Sequence, residues 1–153
     1  MTTIFGLPAH ALLVHAIVVL APLTAGLEIL CAIWPAARRR LVWLVLALGV
    51  SVMALTPLTT SAGGWLYNHA LSYSPILETH VHRGPWMIYI AIALLVVAIV
   101  QAVQHRAESR SSESRRTLAA VVAVLAIVVG GASVVGVVLI GDSGARAVWA
   151  PRE

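Results

Sequence analysis

Six histidines stand out in a chain that has few other side chains capable of chemistry. Neutral imidazole is a common ligand for zinc, copper and haem iron. Most of the histidines flank apolar segments on what we predict to be one side of a membrane. We therefore consider His15 with either His80 or His82 as candidate ligands of haem b or a metal ion, with His10 in the second shell.

The spacing of these histidines leaves other interpretations open. His10 and His15 are separated by roughly 140° around a helix, at about 100° per residue, so both face one ligand only if His10 precedes the helix. His15 could instead bond to a loop carbonyl or a neighbouring helix near the end of its segment. His80 and His82 could simply be solvated loop residues. No C-x-x-C, H-E-x-x-H or C-x-x-C-H motif is present.

Glu28 is the one acidic residue inside a predicted membrane span. An ionisable residue in that position is a functional candidate by default. However, Glu28 lies close enough to the end of its span to reach Arg38, Arg39 or Arg40. The two interpretations are therefore an ion pair with this arginine triplet and a role in proton handling.

The amino-acid composition indicates the fold class to which these residues belong. Hydrophobic residues make up 60% of the 153 residues and charged residues 10%, whereas a soluble domain is about half apolar and a quarter charged. The apolar runs are long enough for four membrane spans of about 20 residues each. We predict an all-α integral membrane four-helix bundle in one domain, residues 1–153, with spans at about 9–34, 41–66, 86–103 and 117–140.

Arginine sets the predicted orientation. Of the ten arginines, seven lie between spans one and two or between spans three and four, and an excess of this kind marks cytoplasmic loops. This predicts outward-facing termini and two antiparallel hairpins, with a flexible cytoplasmic loop at 104–116. The external segment 67–85 should include a short interfacial helix or re-entrant piece. Since the arginines follow membrane topology, the distribution argues against nucleic-acid binding.

The fourth span contains a small-residue pattern. Ala132 and Gly136 are four residues apart, a spacing that lets another helix approach closely. The other helix could belong to the same bundle or to a partner protein.

Catalytic motifs are lacking. The sequence contains no G-x-S-x-G elbow, and its acidic residues have no diagnostic spacing to a histidine. It also has no phosphate-binding loop of the Walker type. We therefore predict that the protein is not an enzyme in its own right.

Two motifs resemble those of a known family. The opening G-L-P-A-H-A-L-L-V-H at 6–15, with Glu28 after it, and the closing G-D-S-G-A-R-A-V-W at 141–149 resemble domain of unknown function 2231. This family comprises small bacterial membrane proteins with four predicted spans. Relatives usually have Pro where Ala11 stands and often His where Asp142 stands. The resemblance implies a location in the bacterial cytoplasmic membrane, and relatives fused to cytochrome c domains suggest the respiratory chain.

Three functions remain as candidates. The first is a non-catalytic accessory or assembly subunit of a larger, respiratory membrane complex, with lipid and other membrane subunits as partners. The second is an electron-transfer protein that binds haem b or a metal ion through the external histidines. The third is a small transporter or channel, which Glu28 and the proline at position 57 favour.

Overall fold

The computed structural model describes residues 3–4, 6–69, 74–110 and 116–149. It confirms an all-α membrane bundle of four long helices, and a short fifth helix lies outside the set of four. The helices are α1 (Ala9–Ile33), α2 (Pro35–Asn68), α3 (Pro75–Arg83), α4 (Met87–Arg110) and α5 (Arg116–Trp149), and a 3₁₀ turn over Gly84–Trp86 joins α3 to α4. Each of the four long helices is long and apolar enough to cross a membrane.

A pair of short β-strands, which the sequence did not predict, precedes the helical bundle. Two strands of two residues each, β1 (Thr3–Ile4) and β2 (Leu7–Pro8), pair antiparallel. Gly6 lies in the turn between them with φ of +79°, a backbone conformation that glycine adopts without steric cost.

The first hairpin is tighter than predicted. A single residue, Trp34, breaks the helix with an extended backbone, and α2 begins directly at Pro35. Proline is well suited to the first helical position because its missing N–H has no partner there. The arginine triplet at 38–40 is therefore helical rather than part of a connection.

The helices also run further than the predicted spans. The predicted loop at 104–116 is helical as far as Arg110, while 111–115 fall outside the described residues. Helix α5 likewise continues to Trp149. Its last turns contain an exposed ion pair, in which Arg146 Nε lies 2.9 Å from Asp142 Oδ2. Hydropathy marks the thickness of the hydrocarbon layer, but a helix continues wherever its backbone bonds are satisfied. Within 67–85 the structure contains the expected short helix, α3, whose first turn is capped by Ser74.

The four long helices pack in a ring. Helix α1 packs against α2 and α5, and α4 closes the ring by packing against the other faces of α2 and α5. The middle of the bundle is filled by apolar side chains, which come from all four helices. We call this set the apolar cluster: Ile17, Ala21, Ala25, Val52, Met87, Ala91, Leu94 and Val137. The hydroxyl residues Thr24, Thr56 and Ser133 are buried at the level of this cluster, and charged or amide side chains are buried toward the Arg38 end of the bundle.

Candidate functional site

His10 lies at the start of α1 and turns toward α2. Its Nδ1 atom is 2.9 Å from the carbonyl oxygen of Thr59. A carbonyl oxygen only accepts hydrogen bonds, so Nδ1 carries the hydrogen and the neutral ring has its lone pair on Nε2. The ring is therefore fixed in the tautomer that a metal ligand needs.

His80 has the same arrangement on α3. Its Nδ1 atom is 3.2 Å from the carbonyl oxygen of Ile140 and 3.2 Å from the hydroxyl oxygen of Ser143. Ser143 donates its own hydrogen to the Ile140 carbonyl at 2.7 Å, so both oxygens can accept from the ring. Burial lowers the pKa of His80 and the neighbouring His10 lowers it further, against the raising effect of the Ile140 bond. This environment favours the neutral ring, with the lone pair on Nε2.

The two rings lie next to each other, although they come from different helices. Their centroids are 6.2 Å apart and the ring planes are inclined by 67°. With metal–nitrogen bonds of about 2.0–2.1 Å, two imidazoles that bind one metal ion from opposite sides have centroids about 6 Å apart. The centroid separation of His10 and His80 is that of an edge-to-face ring contact, and it also equals the separation of two imidazoles on one metal ion. We call this part of the molecule the His end.

Two glycines make room for these rings. A Cβ atom at Gly63 would lie 2.8 Å from Cε1 of His10, and one at Gly144 would lie 2.9 Å from Cε1 of His80. Both distances are shorter than a normal van der Waals contact. Gly63 on α2 and Gly144 on α5 thus provide the space that each imidazole occupies.

The remaining histidines of this end are not part of the pair. His15 is exposed, and its Nδ1 bonds to the Ala11 carbonyl of its own helix. His82 is exposed as well, and His69 stacks on Trp65 with centroids 4.0 Å apart. The structure therefore brings together His10 and His80 of the predicted ligands, but does not bring His15 or His82 to them.

The number of protein ligands limits which cofactor fits. In the described residues, no group of three or more His, Cys, Asp or Glu side chains is arranged to hold a metal ion. Structural zinc sites use four protein ligands and catalytic ones three. Haem iron takes four nitrogens from its own macrocycle and needs only axial ligands from the protein. Two histidines are fewer protein ligands than a zinc site uses, and haem iron takes one or two from the protein.

The opposite end of the bundle, which we call the Arg end, contains an ion pair between a buried arginine and a partly exposed glutamate. The Arg38 guanidinium donates to both carboxylate oxygens of Glu108, at 2.8 and 2.9 Å, and to the Cys31 carbonyl at 3.1 Å. Arg38 is buried although it belongs to the first turns of α2. Cys31 is buried and free, as expected of a small packing residue.

The expected ion pair between Glu28 and the arginine triplet is not formed. Arg38 bonds to Glu108 instead, and Arg39 and Arg40 are exposed. Glu28 is fully buried, and neither of its carboxylate oxygens has a hydrogen-bond partner among the described residues. The prediction was wrong because Arg38 turns toward α4, a neighbour that the span lengths do not reveal.

Sequence reasoning missed two glutamines beside Glu28. Gln101 is fully buried and donates to the backbone carbonyl of Glu28 at 2.7 Å. Gln104 donates to Glu108 at 2.8 Å. Polar residues at 101, 104 and 108 follow the i, i+3, i+7 spacing of a single helix face. That periodicity, in an otherwise apolar segment, was the signal that could have found them.

The small-residue pattern of α5 has two different environments. A Cβ atom at Gly136 would lie 2.6 Å from Cδ1 of Ile90, so this position packs inside the bundle against α4. Ala132 is exposed and lines a groove between α4 and α5 with a volume of about 260 Å³. Tyr89 and Val128 line it as well.

Together, four apolar helices with buried polar groups toward both ends define a small multi-pass membrane protein. The family model described as "Predicted membrane protein (DUF2231)" matches residues 6–152, and the chain belongs to that family. No curated protein and no solved structure matches the chain.

Proposed function

We propose that this membrane protein binds haem b through His10 and His80 and carries electrons. The observation that supports this is the geometry of the pair. Both Nδ1 atoms are held by backbone carbonyls, which leaves an Nε2 lone pair on each of two rings 6.2 Å apart. This ligand set revises the one expected from the sequence, since His10 replaces His15.

The residues around the pair would support such a role. Haem iron, when bound, supplies reversible one-electron oxidation and reduction. The Thr59 and Ile140 carbonyls orient the rings and make Nε2 a stronger donor, as second-shell partners of metal ligands do. His10 and His80 would therefore hold the haem iron, with each ring oriented by the carbonyl that accepts from its Nδ1.

A reduced-minus-oxidised visible spectrum of the purified protein in mild detergent tests the proposal. The unaltered chain should show a b-type band, and His10→Ala or His80→Ala should abolish it. His15→Ala and His82→Ala are matched controls that should retain it. A featureless spectrum after expression with added haem, or full haem occupancy in His10→Ala, would reject the assignment.

A second candidate is a non-catalytic accessory or assembly subunit of a larger, respiratory membrane complex. The groove between α4 and α5 favours it, because exposed Ala132 leaves space beside Tyr89 for a helix of another subunit. Extraction from the native host in several mild detergents tests this candidate. Recovery of the free chain in every detergent would reject it.

The proposed location is the bacterial cytoplasmic membrane, with the Arg end on the cytoplasmic side. Arg39, Arg40, Arg106 and Arg110 are exposed at this end, and positive charge is retained on the cytoplasmic face. His10 and His80 would then lie near the external surface. In that position the protein would exchange electrons with external partners and would not be an enzyme in its own right.

A further inference from the structure

Glu28 is the most unusual buried group that the proposed function does not use. Its side chain is fully buried, and both carboxylate oxygens have no hydrogen-bond partner among the described residues. The side-chain oxygens of Gln101 and Gln104 are likewise buried without a donor. This part of the Arg end therefore has more hydrogen-bond acceptors than donors.

Among the described residues, no positively charged side chain forms an ion pair with Glu28. Arg38 of α2 is the buried cation nearby, and its terminal nitrogens bond to Glu108 of α4 and to the carbonyl of Cys31. Its Nε atom is buried and has no hydrogen-bond partner among those residues. Helix α5 packs against this part of α1 through its residues Gly130 and Ala126, which have no titratable side chain. Cys31 is the other titratable side chain on this stretch of α1.

An ionised Glu28 would thus be an unpaired buried charge, which a low-dielectric interior strongly disfavours. One proton removes this charge. It also converts one acceptor oxygen into a donor, in a region where the Gln101 oxygen is buried without a donor. Gln101 is held at Glu28 by its 2.7 Å bond to the backbone carbonyl.

We propose that Glu28 is a proton-binding site inside the bundle, and that it exchanges its proton with water at the Arg end. Binding forms an O–H bond on one carboxylate oxygen with a proton from that water, and release breaks the same bond. The site is independent of the histidine pair, which lies at the other end of the molecule.

The direction of exchange follows from the polar residues on α4. Gln101, Gln104 and Glu108 share one helix face and cover about 10 Å along its axis. The Glu108 side chain is 35% exposed, so this row of polar residues leads from Glu28 to the surface. On the other side of Glu28, the hydroxyl of buried Thr24 donates to the Leu20 carbonyl, and Ala25 and Ala21 lead into the apolar cluster. The row of amide and carboxylate groups lies on the Arg side, so the proton enters and leaves at that end.

Difference infrared spectroscopy of the full-length protein in lipid nanodiscs tests the proposal directly. A protonated carboxylic acid has a carbonyl stretch that is separate from that of a carboxylate. We expect this band at neutral pH, its complete loss in Glu28→Gln and its retention at a shifted frequency in Glu28→Asp. Glu78→Gln is the matched control, since Glu78 is an exposed acid on α3. Gln104→Leu should slow the exchange of this proton for deuterium.

Two results would overturn the proposal. The first is a spectrum at neutral pH that does not differ between the unaltered chain and Glu28→Gln, since Glu28 would then be ionised. The second is a band that disappears when sodium ions replace choline at constant pH, which would make the occupant a metal cation. If Glu28→Gln fails to fold, the frequency shift in Glu28→Asp decides the assignment.

Discussion

Gly144 lies so close to His80 that a Cβ atom at this position would come within 2.9 Å of the imidazole ring. A methyl group there therefore forces the ring to move, and movement weakens its bonds to Ile140 and Ser143. The glycine and the histidine come from different helices, so their contact also fixes α3 against α5. Gly63 has the same relationship with His10.

We predict that Gly144→Ala and Gly63→Ala each weaken haem binding by about 10-fold or more, the usual effect of disturbing the second shell of a metal ligand. Gly141→Ala and Gly64→Ala are matched controls, because a Cβ atom at either position meets nothing within 4 Å. Haem titration of the purified variants measures the effect. Equal affinity in all four variants would contradict the described positions of the two rings.

The Arg38–Glu108 pair should respond unequally to the loss of its two partners. Arg38 is 4% exposed and Glu108 35%, so Glu108→Gln leaves a buried charge, whereas Arg38→Gln leaves a carboxylate that water can reach. We expect Glu108→Gln to lower the free energy of unfolding by about 2–4 kcal/mol, and Arg38→Gln to lower it by less. Denaturant titration in mixed micelles measures both.

The exposed Arg146–Asp142 pair is the control for this prediction. Its side chains are 69% and 49% exposed, and such pairs contribute about 0–1 kcal/mol. Asp142→Asn should therefore have little effect. A loss as large as that in Glu108→Gln would show that burial is not what distinguishes the two pairs.

Contact between α4 and α5 depends on Gly136. A Cβ atom there would lie 2.6 Å from Cδ1 of Ile90. Because Cδ1 is the end of a flexible side chain that can shift, the overpacking costs about 1 kcal/mol, the low end of its usual range. We predict that Gly136→Ala lowers the thermal midpoint and that adding Ile90→Val, which removes the clashing methyl group, restores most of the loss. Gly131→Ala is the control, since a Cβ atom at Gly131 meets nothing within 4 Å. A double variant no more stable than Gly136→Ala would be the contrary result.

The proposed orientation is tested with reporter fusions. A reporter inserted at 111–115 should be active only in its cytoplasmic form, because positively charged residues flank this segment on both sides. A reporter after Asn68 should be active only in its external form. The opposite pattern would place the His end in the cytoplasm and remove the basis for external electron partners.

Hydropathy was sufficient to predict the four helices and their order. It could not predict their ends, since the charged turns up to Arg110 and Trp149 look like loop by composition alone. It also could not predict rotation about the helix axis. Nothing in the local sequence indicates that Arg38 turns toward α4, so the expected pair with Glu28 was wrong.

The candidate site was partly within reach of sequence reasoning. Residue types and span order could predict that His10 and His80 lie at the same end of the bundle, and the structure places them 6.2 Å apart there. Choosing His10 over His15 required the position of Thr59, and choosing His80 over His82 required the position of Ile140. Both choices depend on contacts between segments far apart in the chain, which spacing within one segment does not encode.

The apolar cluster has an electrical consequence. Moving one elementary charge through a membrane potential takes about 2.3 kcal/mol per 100 mV, and an apolar region offers such a charge no ionised partner. In the described part of a single chain, the polar side chains buried at the level of the cluster are the hydroxyl residues Thr24, Thr56 and Ser133. Thr24 and Thr56 donate to carbonyls of their own helices. The cluster therefore raises the electrical barrier to an ion that would pass along the inside of this bundle.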